Sequence, residues 1–367
     1  MTSPVATRTP VRIDVDSRAG TYPVIIAPGI SARAGRLLRD NGRAGACVLV
    51  SNATVWRFHG DRFRGLSAEE PILLPDGERF KNLQSVSRVY EGLIRARADR
   101  GSTLVAIGGG VLGDTAGFAA ATYLRGIALV HVPTTLLAQV DSAIGGKVGV
   151  NHAAGKNLIG AFHPPALVVV DPELLGTLPR REFRAGLYET IKYGVIASRS
   201  LFDTLSASLS AIFARDTGAL MQVIGESCRI KARVVGDDEH ETGARRTLNF
   251  GHTVGHALEA VTKYRRLRHG EAVAYGMLAA ASIGEHRGTM PAADREALVS
   301  LITAMGPLPA IGDLSAAQVI DSIGRDKKVL NGRLHFVLPT AIGSCDVVAD
   351  VTTDEIERAL DGLGVAR

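Results

Sequence analysis

Through its first 178 residues the chain alternates short β-branched runs with stretches of helical periodicity, and that alternation constrains the fold more than any other feature. Strands are expected at Val11–Val15, Tyr22–Ala27, Ala46–Ser51, Pro71–Leu74, Thr103–Ile107, Ile127–Val132 and Ala166–Val170. Between them Ser31–Asp40 and Leu83–Arg97 read as helices, the second with Val86, Val89, Tyr90, Leu93 and Ile94 at three- and four-residue intervals. Strand following helix in this way implies a parallel sheet covered on both faces. Beyond Pro179 the texture turns helical. Helices are expected at Arg184–Ala197, Leu220–Val235, Thr247–Thr262, Glu271–Glu285 and Asp294–Ala304, and strands only at Arg333–Leu338 and Cys345–Val348. The fold class is therefore α/β with an N-terminal nucleotide-type domain, residues 1–178, followed by a mainly helical domain, residues 179–367.

With 46% hydrophobic residues the chain has enough apolar surface for more than one core, which excludes disorder as its main theme. A membrane span needs about 20 apolar residues in a row. The longest charge-free stretch, Ala297 to Gly312, is broken by Gly306, Pro307 and Pro309. The first residues lack an apolar core after a basic cluster, so no secretory signal is expected. Cys47, Cys228 and Cys345 are too few and too scattered for a disulfide framework. The expected location is the cytoplasm. A net charge of +5 raises the question of nucleic acid, but the basic residues are spread along the chain and RRLRH at 265–269 is their densest cluster. Small anionic substrates fit that balance, and neither nucleic acid nor a membrane is an expected partner.

Thr103–Ile107 runs into Gly108-Gly109-Gly110-Val111-Leu112-Gly113-Asp114 and then into the helical stretch Thr115–Leu124. Glycines in such a turn let the backbone approach a pyrophosphate, whose charge is met by N–H groups at the helix start. The usual dinucleotide fingerprint also has an acidic residue about 20 positions on. Here Gly126 to Val140 holds no carboxylate, and the turn follows a late strand instead of the first. Close helix–strand packing is the less favoured alternative reason for these glycines.

His252 and His256 stand four apart in Asn249–Glu259, which on a helix puts both imidazoles on one face, and His269 follows. Metalloprotease helices have this spacing, but with Glu directly after the first His, where Thr253 stands. Catalytic zinc sites commonly combine imidazole with carboxylate. Glu189, in the apolar stretch Gly186–Gly194, is a candidate. It reads equally well as an exposed pair with Lys192, worth about a few tenths of a kcal/mol. His59, His131, His152, His163, His240, His286 and His335 default to surface or satisfied core positions. Lys147 and Lys156 lie in a glycine-flanked hairpin and can reach phosphates as flexible point charges.

Taken together and in order, GGGVLGD (108–114), VPTT (132–135), QVDSAIGGK (139–147), GKNLIGAF (155–162), Gly186–Gly194, Glu239–Glu259 and RDKKVL (325–330) resemble the 3-dehydroquinate synthase family of sugar phosphate cyclases. The resemblance covers nearly the whole chain. It departs from the family pattern at Tyr188 and Thr190, where smaller or more apolar residues are expected. It implies NAD contacts from Asp76, Glu78 and Lys81, then from Gly110, Val111, Leu112, Gly113 and Asp114, and from Thr134, Thr135, Lys147, Lys156 and Thr177. It implies zinc or cobalt on Glu189, His252 and His269, and gives His256 to the substrate. Other implied substrate-binding residues are Arg125, Asp141, Lys147, Asn157 and one of Lys327 or Lys328. Lys192, Lys231, Glu241, Arg245, Asn249 and His256 are the implied catalytic set.

The implied reaction converts 3-deoxy-D-arabino-heptulosonate 7-phosphate to 3-dehydroquinate and phosphate, on the shikimate route to chorismate and aromatic amino acids. A homodimer is the implied assembly. Two rival readings are a sibling cyclase making an inosose or a valiolone, and a metal-dependent polyol dehydrogenase. The first would differ in residues that meet the substrate carboxylate. The second would release NADH stoichiometrically, and a nucleic-acid binder, suggested by charge alone, would bind DNA with steep salt dependence.

Overall fold

A computed structural model describes residues 10–241, 243–327 and 335–366, with backbone only at Asp326 and Lys327. In chain order the strands are β1 (Val11–Val15), β2 (Tyr22–Ile26), β3 (Cys47–Asn52), β4 (Ile72–Leu74), β5 (Thr103–Gly108), β6 (Ala128–Pro133), β7 (Lys147–His152), β8 (Gly155–Phe162), β9 (Leu167–Val170), β10 (Phe336–Ala341) and β11 (Ser344–Val348). The helices are α1 (Ala34–Asp40), α2 (Ala53–His59), α3 (Leu83–Arg95), α4 (Gly110–Thr122), α5 (Arg180–Ala197), α6 (Arg199–Ala207), α7 (Leu209–Phe213), α8 (Thr217–Asp237), α9 (His252–Val261), α10 (His269–His286), α11 (Ala292–Ala304), α12 (Ala316–Lys327) and α13 (Thr353–Gly362). No helix among the described residues is long and apolar enough to cross a membrane.

The chain divides into two compact units. The first runs to Pro179 and also contains Arg215–Glu239, and the second holds Arg180–Ala214 and the residues from His240 on. Helix α8, grouped with the later helices on sequence texture, thus belongs to the first unit, packing against β1 and β2.

In the first unit seven strands form one sheet in the order β1-β2-β9-β6-β5-β3-β4. All neighbours are parallel except the edge pair β1 and β2, joined by a tight connection that only an antiparallel pair permits. Period-two alternation gives the sheet two buried faces: Leu104 and Ala106 of β5 pack with Val86, Val89 and Leu93 of α3, whereas Val105 and Ile107 pack with Val130, Val132 and Val169. Helix α3 starts where Asn82 accepts a hydrogen bond from the Ser85 N–H, at 3.0 Å, and ends before Arg97, whose left-handed backbone stops it. From β3 the chain goes to β4 on one side and then back to β5 on the other. The crevice at the carboxyl ends of β3 and β5 is thus a topological switch point, where ligands of open α/β sheets bind.

In the second unit α10 is central, packing against α5, α9, α11, α13 and β10. The single helix expected over Thr247–Thr262 is split. Residues Ala244–Asn249 form a 3-10 turn, Gly251 takes φ 78°, and α9 begins at His252. A side chain at Gly276 of α10 would run into the Gly251 carbonyl, so α9 and α10 approach at backbone distance. Gly276→Ala is expected to cost about 3 kcal/mol through forced separation of these helices, read as a lower urea midpoint.

At the start of α13, Arg287 donates to both oxygens of Glu355 at 2.6 and 2.8 Å. These bonds hold the Glu355 carboxyl at about 2, against an ordinary 4.5. Because the folded value is the lower one, the pair's stability is complete above about pH 4.5 and is lost as pH falls toward 2. Glu355→Gln should therefore flatten the acid limb of stability against pH over that window. An unchanged acid limb would show that the pair contributes nothing to it.

Candidate functional site

In the first unit β5, buried along its whole length, delivers the chain to Gly109, and α4 begins at Gly110. The N–H groups of the first helical turn lack intrahelical partners and point beyond the carboxyl end of the sheet. A cleft there is lined by Gly108, Gly109, Gly110, Gly113, His131 and Ser142. A Cβ at Gly109 would lie 3.0 Å from the Thr135 methyl and one at Gly110 2.8 Å from the Ser142 hydroxyl. The glycines therefore serve packing and open the cradle at once. Val111 and Leu112 lie in the same first turn, and Thr134 is fixed by its N–H to the Gly108 carbonyl at 3.0 Å. His131 is pushed down to about 4, burial disfavouring its charge with His163 adding to the effect, so it is a neutral wall of the cleft.

The turn Glu78–Phe80 after Asp76 brings Lys81 beside the glycine helix. Its ammonium donates to Asp114 at 2.5 Å and to Asn157 at 2.6 Å. Burial alone would lower Lys81, but Asp114 and Glu78 outweigh it and hold it above its ordinary value. Lys156 lies 3.9 Å from Glu78. Five residues expected at a nucleotide or substrate site, Glu78, Lys81, Asp114, Lys156 and Asn157, are thus one network. A sixth was not anticipated. Asn151 donates to Glu78 at 2.8 Å and accepts from the Asn157 N–H at 2.9 Å, holding Asn157 in its left-handed conformation. Its only sequence signal was an amide side chain in the glycine-flanked β7–β8 hairpin.

The other expected residues lie elsewhere on the same unit's elements. Lys231 of α8 pairs with Asp141 at 2.7 Å. Lys147, the first residue of β7, is exposed, as is Arg125 at the turn after α4. Thr177 bonds the buried His59 ring at 2.7 Å. His59 was assigned no role from sequence.

In the second unit α5 carries Glu189 and Lys192, which are 0% and 1% exposed and lie 2.5 Å apart. The pair expected at helical spacing exists, but its burial overturns the reading of it as an exposed surface pair. The other Glu189 oxygen faces His252 Nε2 at 3.7 Å and His269 Nε2 at 3.4 Å. Each ring is turned by its second nitrogen: His252 Nδ1 lies 3.1 Å from the Phe250 carbonyl and His269 Nδ1 3.2 Å from Glu259. Ligand atoms around a tetrahedral zinc, each about 2.1 Å from it, are about 3.4 Å apart. The Glu189 oxygen lies at about that spacing from each of the two Nε2 atoms, 3.4 and 3.7 Å.

His256 stacks edge-on to His252, with ring centroids 5.2 Å apart, and its ligand atom lies within 4.8 Å of those of His252 and His269. His252 is pulled down to about 3 by burial and then by Lys192. Burial also works against the charged form of His269, but hydrogen bonds to Glu189 and Glu259 prevail and push it up to about 10. Two imidazoles facing one buried carboxylate oxygen are a donor set that suits a cation.

Arg245 is buried in the 3-10 turn before α9, and from the same turn Asn249 donates to Glu241 at 2.5 Å. Glu241 itself takes a left-handed backbone, at φ 61°. Lys328 lies outside the described residues, as does the side chain of Lys327.

Residues 71–185 match the 3-dehydroquinate synthase N-terminal family model and residues 186–329 the C-terminal one. A 3-dehydroquinate synthase from Geobacter sp. (strain M21) is 46% identical over 340 residues, which are 91% of this chain and 93% of that protein. Among solved structures, the 2-epi-5-epi-valiolone synthase ValA from Streptomyces hygroscopicus subsp. jinggangensis 5008, with NAD+ and Zn2+ bound, superposes with a TM-score of 0.83 at 29% identity, covering 96% of this chain and 99% of that one. A 2-deoxy-scyllo-inosose synthase complexed with carbaglucose-6-phosphate, NAD+ and Co2+ gives 0.85 at 26% identity, covering 95% and 99%. The chain belongs to the 3-dehydroquinate synthase family.

Proposed function

We propose that this chain is a 3-dehydroquinate synthase that uses NAD and a zinc or cobalt ion to convert 3-deoxy-D-arabino-heptulosonate 7-phosphate to 3-dehydroquinate and phosphate. The observation that carries the metal half of this reading is the convergence of two imidazole nitrogens on one oxygen of the buried Glu189, at 3.4 and 3.7 Å. The glycine turn, Asp76, Glu78, Lys81, Asp114, Lys147 and Lys156, with Thr134, Thr135 and Thr177, are the nucleotide set of the reading. When bound, NAD supplies a hydride acceptor that later gives the hydride back, so that no net redox change occurs. The metal, held by Glu189, His252 and His269, supplies Lewis acidity for the hydroxyl being oxidised.

The chain's own residues do the rest. With C5 oxidised the C6 proton is acidic, and its transfer to a base, a part the substrate's own phosphate can play, expels phosphate. Lys147, Lys192 and Arg245 hold anionic groups of the substrate, with Arg125, Asp141, Asn157, Lys231 and one of Lys327 or Lys328 fixing its orientation. His256 and the Glu241–Asn249 pair hold or move protons through water. After re-reduction the ring opens and closes again by an internal aldol reaction, for which a fixed orientation favours one face. The setting favoured is cytoplasmic and the assembly a homodimer, two-fold pairs being the commonest closed oligomers. Sedimentation at the mass of one chain would count against the dimer.

A sibling cyclase is the second reading, favoured by the superposition on the valiolone and inosose synthases. The much higher identity to a dehydroquinate synthase weighs against it. Turnover of the heptulosonate phosphate beside that of a sugar phosphate lacking a carboxylate separates the two. The carboxylate-bearing substrate should be preferred by about 100-fold or more, the effect of about two charge-assisted hydrogen bonds. Equal turnover would favour the sibling.

A further inference from the structure

Glu259 is a buried carboxylate, 4% exposed, in the last turn of α9, seven residues after His252 and on the same helix face. Both circumstances disfavour it. Burial removes its hydration, and the last turn of a helix is the negative end of the helix dipole. A carboxylate kept there needs a specific partner. That partner is His269 Nδ1, 3.2 Å from Glu259 Oε2, on a ring whose Nε2 faces Glu189. Behind the His252 ring, among the described residues, stands a neutral carbonyl, that of Phe250.

We infer that Glu259 is a positioning residue for the metal: it fixes His269 with the proton on Nδ1, aims the Nε2 lone pair at the ion, and adds negative charge that strengthens this ligand over His252. The inference rests on the metal reading above, and on hydrogen-bonded carboxylates behind ligating imidazoles tuning affinity in general. Glu259 would not touch the substrate.

The test is titration of the full chain with Zn2+ and with Co2+ against a competing chelator, beside thermal unfolding of the metal-free protein. Glu259→Gln keeps shape and one acceptor but loses the charge, and should weaken metal binding about 10-fold; Glu259→Ala should weaken it about 100-fold. The visible bands of bound Co2+ should shift in Glu259→Gln, a change in the ligand field that loss of a merely stabilising contact would not produce. Wild-type metal affinity in both variants, or a lowered midpoint with unchanged affinity, would overturn the role of Glu259 and leave the metal site standing. A wild-type chain that takes up no metal would overturn both readings. Because Glu259→Gln is nearly isosteric, the result does not hang on the folding of Glu259→Ala.

Discussion

Replacement of Glu189 by glutamine is expected to lower turnover by about 100- to 1000-fold, because a metal ligand of this kind supports several kcal/mol of transition-state stabilisation and each 1.4 kcal/mol is tenfold. Tight uptake of zinc should fail in the same variant. The carboxylate is the one anionic member of the set formed with His252 and His269, and its second oxygen is already committed to Lys192. An amide of the same shape keeps the packing of α5 while removing the charge. It also leaves the Lys192 ammonium buried without its partner, so the variant should be less stable as well. Adding Lys192→Met to Glu189→Gln should recover that stability and none of the activity. If the single variant kept both metal and turnover, the ligand assignment would be wrong.

Lys192→Met alone should destabilise the metal-free protein by about 3–5 kcal/mol, the usual consequence of breaking a fully buried ion pair from one side. Glu189 and Lys192 are both enclosed, so solvent screening gives little relief. A divalent cation on the other oxygen of Glu189 offers the lost compensation. Zinc should therefore raise the unfolding temperature of Lys192→Met by more than it raises that of the wild type. Equal zinc-induced shifts would separate the ion pair from the metal site. Catalysis should fall in this variant with the metal in place, since the same ammonium is read as holding an anionic group of the substrate.

The strands were legible because a parallel sheet buried on both faces writes itself as runs of Val, Ile and Leu, as in Leu104–Ile107 and Val168–Val170. What the period did not reveal was direction. The β1–β2 pair is antiparallel, and only the short connection between them hints at it. Texture likewise grouped α8 with its sequence neighbours, although its buried residues, from Leu220 to Val235, belong to the first unit. The break at Gly251 was hidden inside a periodic stretch that reads as one helix. Its cause is tertiary, the close approach of Gly276.

The site divides in the same way. Charged and imidazole residues at recognisable spacings, such as Glu189, His252 and His269, could be named from the sequence. Spacing left open whether Glu189 was exposed, and only burial decides that. It also suggested His252 with His256 as a pair, whereas the structure adds a buried carboxylate oxygen, that of Glu189, which faces both His252 and His269. Asn151 and His59 act through partners far away in sequence, Glu78 and Thr177, so no local pattern marks them. Glu259 carries a local signal, an acidic residue in the last turn of an apolar helix, where a cation is the ordinary choice.

The central claim is a reaction with oxidation inside it and none at its end. Its most direct test is phosphate release from 3-deoxy-D-arabino-heptulosonate 7-phosphate with NAD and zinc present, followed together with absorbance at the NADH band. Many phosphates released per chain with no accumulating NADH, and release stopped by a chelator, is the predicted result. One NADH formed for each substrate consumed would contradict it and make the chain a dehydrogenase.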